Sequence, residues 1–217
     1  MSELRSRDEP SQARYARDTL EFGRVANLSD ALFAIALTLL VFTLDASAVS
    51  LDRVDGVLVD QAGQLIAFAI SFAVVANFWW VHHRFLATLG SLEPGLIVLN
   101  LVLLGAVALI PFPTSLLGRD PTVRASVLPY LVLLSVVAIL HLLLLARANA
   151  VAAWRRPIPA GLFPWLLAGW GASTIVTLLA LAVAFVVPVA GLVMLALTWP
   201  VEALVAWRAP ASYRDWG

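Results

Sequence analysis

Six apolar stretches, each long enough to cross a lipid bilayer, constrain this chain more than any other feature. They cover residues 26–44, 63–83, 95–112, 126–146, 161–187 and 189–207. A transmembrane helix needs about 20 mostly apolar residues to cross roughly 30 Å of hydrocarbon. The last two stretches are separated by Val187-Pro188-Val189, where the proline favours a very short turn between two helices. The sequence therefore predicts an all-α, polytopic membrane protein with six transmembrane helices.

The composition excludes several other classes of protein. Of the 217 residues, 61% are hydrophobic and 13% are charged, whereas soluble domains carry about 25% charged residues. The 14 basic and 14 acidic residues cancel, so net charge gives no sign of a nucleic-acid partner. Without cysteine there is no disulfide framework, thiolate metal site or cysteine nucleophile. The first 24 residues alternate in charge and have no apolar core, so we expect no cleaved signal peptide.

The arginines predict the orientation of the spans. With six spans and a cytoplasmic N-terminus, eleven of the 14 arginines lie on the cytoplasmic side and three lie outside. Cytoplasmic loops carry the excess of basic residues, so we expect both termini in the cytoplasm. The 45–62 loop would then lie outside, either as a solvated acidic loop or as a mouth that concentrates cations. Its acidic residues are Asp45, Asp52, Asp55 and Asp60.

The same boundaries give the domain organisation. We expect a cytoplasmic N-terminal segment over 1–24, a six-helix transmembrane domain over 25–208 and a cytoplasmic tail over 209–217. Five tryptophans fall near predicted cytoplasmic helix ends, where amphipathic rings anchor a helix at the membrane interface. They are Trp79, Trp80, Trp154, Trp165 and Trp207.

Asp30 is the most informative polar residue, because a carboxylate within a span is costly and is normally paired or faces a cavity. At about 1.5 Å of rise per residue, several other polar side chains fall at a similar depth from the cytoplasmic side. They are Ser29, Asn77, His82, His83, Asn100 and His141. Such a layer favours hydrogen bonds between helices, with Asp30 as an acceptor.

Two functional interpretations of this layer are also open. Asp30 and the histidines could relay protons or ions, or they could bind a metal. Adjacent His82 and His83 project about 100° apart on a helix, so they cannot both face one metal ion without further ligands from elsewhere. The metal site is the least favoured of these interpretations.

A second face of the first span has a different composition. At about 100° per residue, four of its side chains share a sector of roughly 60°, while Ser29 and Asp30 project away from it. The four are Ala31, Ile35, Thr38 and Phe42. Contact with lipid would explain this stripe. Thr38 between bulky apolar residues also suits a hydrophobic constriction with a hydroxyl for a partly dehydrated ion.

Three segments resemble one known family of membrane proteins. The run from Arg24 to Asp30 resembles the Arg-x-x-x-Phe-Ser-Asp signature that opens the first helix of the lysosomal potassium channel family (transmembrane protein 175). Phe78-Trp79-Trp80-Val81-His82-His83-Arg84 is similar to the end of its second helix, and Leu109-Ile110-Pro111-Phe112-Pro113-Thr114 to the end of its third. The resemblance covers about residues 24–117, and Leu28 occupies the position where the family has Phe.

This resemblance implies a six-helix subunit, a symmetric homotetramer in bacterial members and a central pore lined by the first helix. Carried over by position, it implies a pore constriction and ion selectivity at Ile35, Thr38, Leu39 and Phe42. It also implies a structural polar network that holds the first helix in place. The network residues are Arg24, Ser29, Asp30, Asn77, His82, His83 and Asn100.

We therefore expect a potassium-conducting channel of the bacterial inner membrane. Its partners would be lipid and monovalent cations. We expect no cofactor beyond the permeant potassium ion and no enzymatic activity. The chain contains no Thr-Val-Gly-Tyr-Gly filter, so carbonyl rings cannot provide selectivity. Partial dehydration at an apolar ring penalises sodium more than potassium, which predicts modest selectivity. The alternative is a secondary transporter or a proton-conducting protein that uses Asp30 and the histidines. A transporter is disfavoured because we see no internal repeat and no interior Gly-Pro break in the first three spans.

Overall fold

A computed structural model describes residues 14–45 and 61–214 of the chain. Within these residues, six helical segments are long and apolar enough to cross a membrane, which confirms the predicted six-helix fold. Of the predicted outer loop, Asp52, Asp55 and Asp60 lie outside the described residues. The six spans are Leu20–Thr43, Ala62–Thr88, Pro94–Arg119, Arg124–Ala150, Leu162–Ala184 and Pro188–Arg208.

Some spans are single helices, and others are assembled from shorter pieces. α1 begins at Leu20, inside the predicted 1–24 segment, and the Thr19 side chain caps its N-terminus. The elements are β1 (Tyr15–Ala16), α1 (Leu20–Leu39) with a 3₁₀ extension (Leu40–Thr43), α2 (Ala62–Thr88), β2 (Ser91–Leu92), α3 (Pro94–Ala108), α4 (Pro111–Arg119), α5 (Arg124–Ala150), α6 (Leu162–Ala184), α7 (Pro188–Met194), a 3₁₀ turn (Leu195–Leu197), α8 (Thr198–Arg208) and α9 (Ala211–Arg214).

The third span corrects two predictions. It continues to Arg119 instead of ending at residue 112, and it is interrupted between α3 and α4. Pro111 has no backbone N–H to donate, so the helical hydrogen-bond ladder is interrupted there, although Ile110 keeps helical dihedral angles. The first three spans are therefore not free of interior breaks.

The sixth span is also irregular, because Pro200 lies within it. A proline ring clashes with the carbonyl four residues earlier in a helix, and that carbonyl belongs to Ala196 in the 3₁₀ turn. This span packs mainly against α6 and is the least buried of the six. It therefore stands at the edge of the subunit.

The core forms around α5, the most buried span, which packs against α3, α4 and α6. Tyr130 of α5 is fully buried, and its hydroxyl lies 3.2 Å from the Ser71 hydroxyl of α2. The Thr114 hydroxyl of α4 lies 2.9 Å from the same serine. Because unpaired polar groups are costly in a membrane interior, this triad fixes how the second, third and fourth spans meet.

The N-terminal segment ties the predicted cytoplasmic ends of the helices together. Strand β1 pairs antiparallel with β2, the short strand between the second and third spans. One guanidinium nitrogen of Arg17 lies 3.0–3.1 Å from the carbonyl oxygens of Leu86, Ala87 and Leu89. These carbonyls lie at the C-terminal end of α2, where helix carbonyls lack partners within the helix. Arg17 therefore caps the second span.

Glu93 makes a second connection at the same end. Its carboxylate accepts backbone hydrogen bonds from Gly95 and Leu96 at 3.0 Å each, which caps the N-terminus of α3. Arg147 of α5 donates to the same carboxylate at 2.8 Å. The Arg147 guanidinium holds the pKa of Glu93 below its usual value. The third and fourth spans are thus fastened to each other by a charged pair.

Gly90 provides a test of this packing at the predicted cytoplasmic end. A Cβ atom at Gly90 would lie 2.9 Å from the Arg155 Cα and 3.1 Å from the Trp154 oxygen. Gly90→Ala should therefore lower the free energy of unfolding by about 1–3 kcal/mol, the usual cost of overpacking. In contrast, a Cβ atom at Gly105 would meet no atom within 4 Å, so Gly105→Ala should leave stability unchanged or raise it slightly. Denaturant unfolding followed by tryptophan fluorescence measures the free energy of unfolding of each variant. Equal stability of the two variants would contradict the packing described.

Candidate functional site

Helix α1 carries two opposite faces. Its buried face repeats at intervals of four and three residues through Ser29, Phe33, Ala36 and Leu40. The predicted stripe repeats the same intervals two residues later, which places it about 200° around the helix. Its residues are Ala31, Ile35, Thr38 and Phe42, all of them exposed on the subunit. One face of α1 is thus packed against its own subunit, and the opposite face is left uncovered by it.

The uncovered stripe is apolar apart from one hydroxyl. Ile35 is 51% exposed and Phe42 is 80% exposed, so the subunit itself leaves this surface free for lipid or for other subunits. The Thr38 hydroxyl donates to the Ile35 carbonyl oxygen at 2.8 Å, so its own oxygen keeps acceptor capacity for a cation. Leu39 is less exposed and lies at the edge of the stripe.

Phe42 differs from its predicted position. It belongs to the 3₁₀ extension over Leu40–Thr43, in which each residue turns the chain by about 120° instead of 100°. Two such steps move its side chain by roughly 40° from the position that an α-helix gives. Phe42 remains exposed, and more so than Ile35.

The polar residues of the predicted network separate into smaller groups. Ser29 and Asn100 are both buried and form one group, in which the Asn100 amide donates to the Ser29 hydroxyl oxygen at 3.0 Å. The Ser29 hydroxyl donates in turn to the Val25 carbonyl at 2.9 Å. This pair joins the first span to the third on the packed face of α1.

Asp30 belongs to a second group that joins the first span to the second. The indole Nε1 of Trp79 donates to an Asp30 carboxylate oxygen at 2.9 Å, and the His83 Nδ1 lies 3.5 Å from the same oxygen. The side chains of Asp30 and His83 are 44% and 49% exposed. The carboxylate is therefore only half-buried, and it accepts from a residue that we interpreted as an interfacial anchor.

Trp79 is the residue that sequence reasoning missed at this site. Depth along a helix indicates which residues lie at one level, but rotation about the helix axis decides which of them face each other. Asn77 precedes Trp79 by two residues and therefore points about 200° away, where it lines a cavity bounded by α2, α5, α6 and the sixth span. The depth of Asn77 predicted that it would contact Asp30, but the rotation of α2 places Trp79 against Asp30 instead.

Of the remaining members of the predicted network, Asn77 and Arg24 do not join these two groups, whereas His82 lies beside Asn100. His82 is fully buried, and its ring centroid lies 5.5 Å from that of Phe33 and 5.5 Å from that of His141. Arg24 is exposed and forms no hydrogen bond or ion pair with any described residue. In the part of the chain that the structure describes, no three acidic or histidine side chains are grouped as metal ligands.

The contact between Trp79 and Asp30 gives a direct test. Trp79→Phe keeps an aromatic ring but removes the donor, so it should destabilise the protein by about 1 kcal/mol. Asp30→Asn keeps an acceptor oxygen but removes the negative charge that strengthens the bond, so its effect should be smaller. The double variant should lose less than the sum, because both changes weaken the same interaction.

Trp80→Phe is the matched control, since Trp80 is more than half exposed and donates no hydrogen bond to any described residue. Thermal unfolding in one detergent compares all four variants. Strictly additive losses for Asp30→Asn and Trp79→Phe would contradict the contact.

Comparisons with known proteins agree with the motifs of the first half of the chain. Residues 24–111 match the family model described as endosomal/lysosomal potassium channel TMEM175. A potassium channel of Streptomyces collinus is 37% identical over 102 residues, which cover 46% of this chain and 48% of that protein. A potassium channel of Chamaesiphon minutus is 33% identical over 107 residues, which cover 48% of this chain and 53% of that protein. These matches confirm the predicted family resemblance.

The match to these relatives spans about half their length. Both relatives belong to a non-enzymatic class.

A solved structure extends the likeness to most of the chain. It is the crystal structure of a lysosomal potassium-selective channel TMEM175 homologue from Chamaesiphon minutus. The TM-score is 0.68 at 24% identity, with 89% of this chain and 100% of that chain covered. At this identity the match shows a shared fold.

Proposed function

We propose that this chain is the subunit of a potassium-conducting channel in which α1 lines the pore. The observation that carries the proposal is the uncovered stripe of α1, which lies opposite its packed face. One stripe cannot enclose a pore, so identical subunits must close a ring around it. A symmetric homotetramer follows from the family resemblance, and the relatives named above are potassium channels.

In this ring, the stripe residues form the constriction. Ile35, Leu39 and Phe42 provide apolar layers that water leaves easily, and such constrictions gate by dewetting. The Thr38 oxygen gives a dehydrating ion one protein contact at the same level. Losing water costs sodium more than potassium, and few oxygens replace that water. The channel therefore favours potassium modestly, without a cofactor.

The packed face of α1 holds the constriction in place. Ser29 bonds to Asn100 of the third span, and Asp30 bonds to Trp79 of the second span. Both contacts lie toward the cytoplasmic half of α1, away from Ile35 and Phe42. We assign Ser29, Asp30, His83 and Asn100 to support of the helix and not to permeation.

A proton-conducting role is the second candidate, and one observation favours it. Asp30 and His83 are half-exposed and 3.5 Å apart, so they could exchange protons with water. The two roles differ in their response to mutation. Proton flux into liposomes that disappears with Asp30→Asn, while potassium flux persists, would support a relay through Asp30.

The channel proposal predicts how ion preference changes along α1. Phe42→Ala and Ile35→Ala should widen the dewetted constriction, so that potassium flux rises and selectivity over sodium falls. Ile35→Asn should wet the same layer and admit sodium. Leu37→Ala is the matched control, because Leu37 packs against the core of its own subunit.

Bilayer currents under opposed potassium and sodium gradients measure these effects as reversal potentials. Ile35→Ala and Phe42→Ala should shift the reversal potential toward the value of a channel that does not distinguish potassium from sodium. Leu37→Ala should leave the reversal potential unchanged. Unchanged potentials in the first two variants would refute the constriction. Tracer exchange without current from any variant would indicate a transporter instead.

The proposed orientation places the protein in the bacterial inner membrane with both termini in the cytoplasm. The native chain has no cysteine, so single cysteines can be labelled without background. Ser50→Cys should react with a membrane-impermeant maleimide from outside intact cells, and Ala160→Cys should react only after the cells are opened. Labelling of Ser50→Cys from the cytoplasmic side alone would reverse the predicted topology.

A further inference from the structure

The structure contains a cavity that the channel function does not use. Its volume is about 1040 Å³, and α2, α5, α6 and the sixth span bound it. The cavity exists because the sixth span packs mainly on α6 and stands off from α2. Its upper walls are apolar, with Ile70 and Val74 on one side and Leu192 and Val193 on the other. The cavity is partly open, and its size and apolar walls can accommodate a hydrocarbon chain.

Arg84 and Glu202, two side chains that can carry opposite charges, line the cavity at its predicted cytoplasmic end. Arg84 is four residues from the end of α2 and Glu202 is six residues from the end of α8. At about 1.5 Å per residue, these positions lie roughly 6 and 9 Å inside the helix ends. Tyr213 of α9 lines the same end and packs against Gly169. Both side chains thus lie within about two turns of one end of their helices, within reach of a lipid head group at the membrane interface.

Within the described residues, neither side chain forms an ion pair. Among the described residues, the Ser173 hydroxyl alone donates to Glu202, although a carboxylate can accept about four hydrogen bonds. Arg84 forms no ion pair or hydrogen bond with any residue in 14–45 or 61–214. A carboxylate inside a span is expected to have a partner. Among the described residues only a hydroxyl reaches Glu202, so the carboxylate has room to accept from a cationic group that enters the cavity.

We propose that this cavity binds phosphatidylethanolamine from the surrounding bilayer. The phosphate would meet the Arg84 guanidinium, whose fork of donors matches phosphate oxygens. The primary ammonium, a few bonds away, would donate to the Glu202 carboxylate. One acyl chain would lie between α2 and the sixth span. The molecule thus satisfies both charges and the apolar walls at once.

Other amphiphiles satisfy only part of the site. Phosphatidylglycerol offers a phosphate to Arg84 but no cation to Glu202. Phosphatidylcholine carries a quaternary ammonium, which has no N–H to donate to a carboxylate. A hydrophobic amine would suit Glu202 and leave Arg84 without an anion. The lipid with both a phosphate and a primary amine is the best fit.

Native mass spectrometry of the purified full-length protein tests the proposal. The delipidated protein is mixed with the ethanolamine, choline or glycerol phospholipid, each with the same acyl chains. The ethanolamine lipid should be retained preferentially, and Arg84→Gln or Glu202→Gln should each weaken its retention about tenfold. Arg208→Gln is the matched control, because Arg208 also ends the sixth span but does not line the cavity.

Equal retention of the three lipids would overturn the proposal, as would equal losses in Arg84→Gln and Arg208→Gln. If neither charge variant folds, Ala73→Trp decides, because Ala73 faces the cavity and a large ring there fills the space of the acyl chain. Retention of the ethanolamine lipid must fall in that variant, and undiminished retention refutes the site. Ion flux is not the readout, so the outcome does not depend on the proposed channel function.

Discussion

The structure depends on burying one face of α1 and leaving the opposite face free. The buried face packs through Phe33, Ala36 and Leu40, and the Ser29 to Asn100 hydrogen bond fixes its rotation. In lipid, apolar contact does little to choose one helix rotation over another, because the tails are as apolar as the side chains. Buried hydrogen bonds make that choice, and the free stripe around Ile35 and Phe42 follows from it.

The predicted cytoplasmic end gives this arrangement its rigidity. Arg17 caps the second span, and Glu93 caps the third while pairing with Arg147 of the fourth. The hydroxyl triad of Ser71, Thr114 and Tyr130 joins the second, third and fourth spans within the membrane. The spans that support α1 are thus connected at two depths. The sixth span has few such contacts, which leaves space for the cavity beside it.

Hydropathy predicted the six spans, because the length of an apolar run is a direct requirement of the bilayer. It did not predict how the third span breaks at Pro111 and continues to Arg119. The polar layer was predicted from depth, and depth is the same for all residues of one helical turn. Which side chains meet depends on helix rotation, and so Trp79 instead of Asn77 faces Asp30. That rotation is a property of the packed subunit and cannot be read from a single span.

The central claim is that the free stripe of α1 faces an aqueous, ion-conducting axis and not lipid. Thiol-specific block tests it most directly, since the native chain has no cysteine. Thr38→Cys channels in a planar bilayer should lose their potassium current on addition of a small, water-soluble methanethiosulfonate cation, whereas Leu37→Cys channels should keep theirs. Equal insensitivity of the two variants, with normal currents in both, would show that α1 does not line the pore.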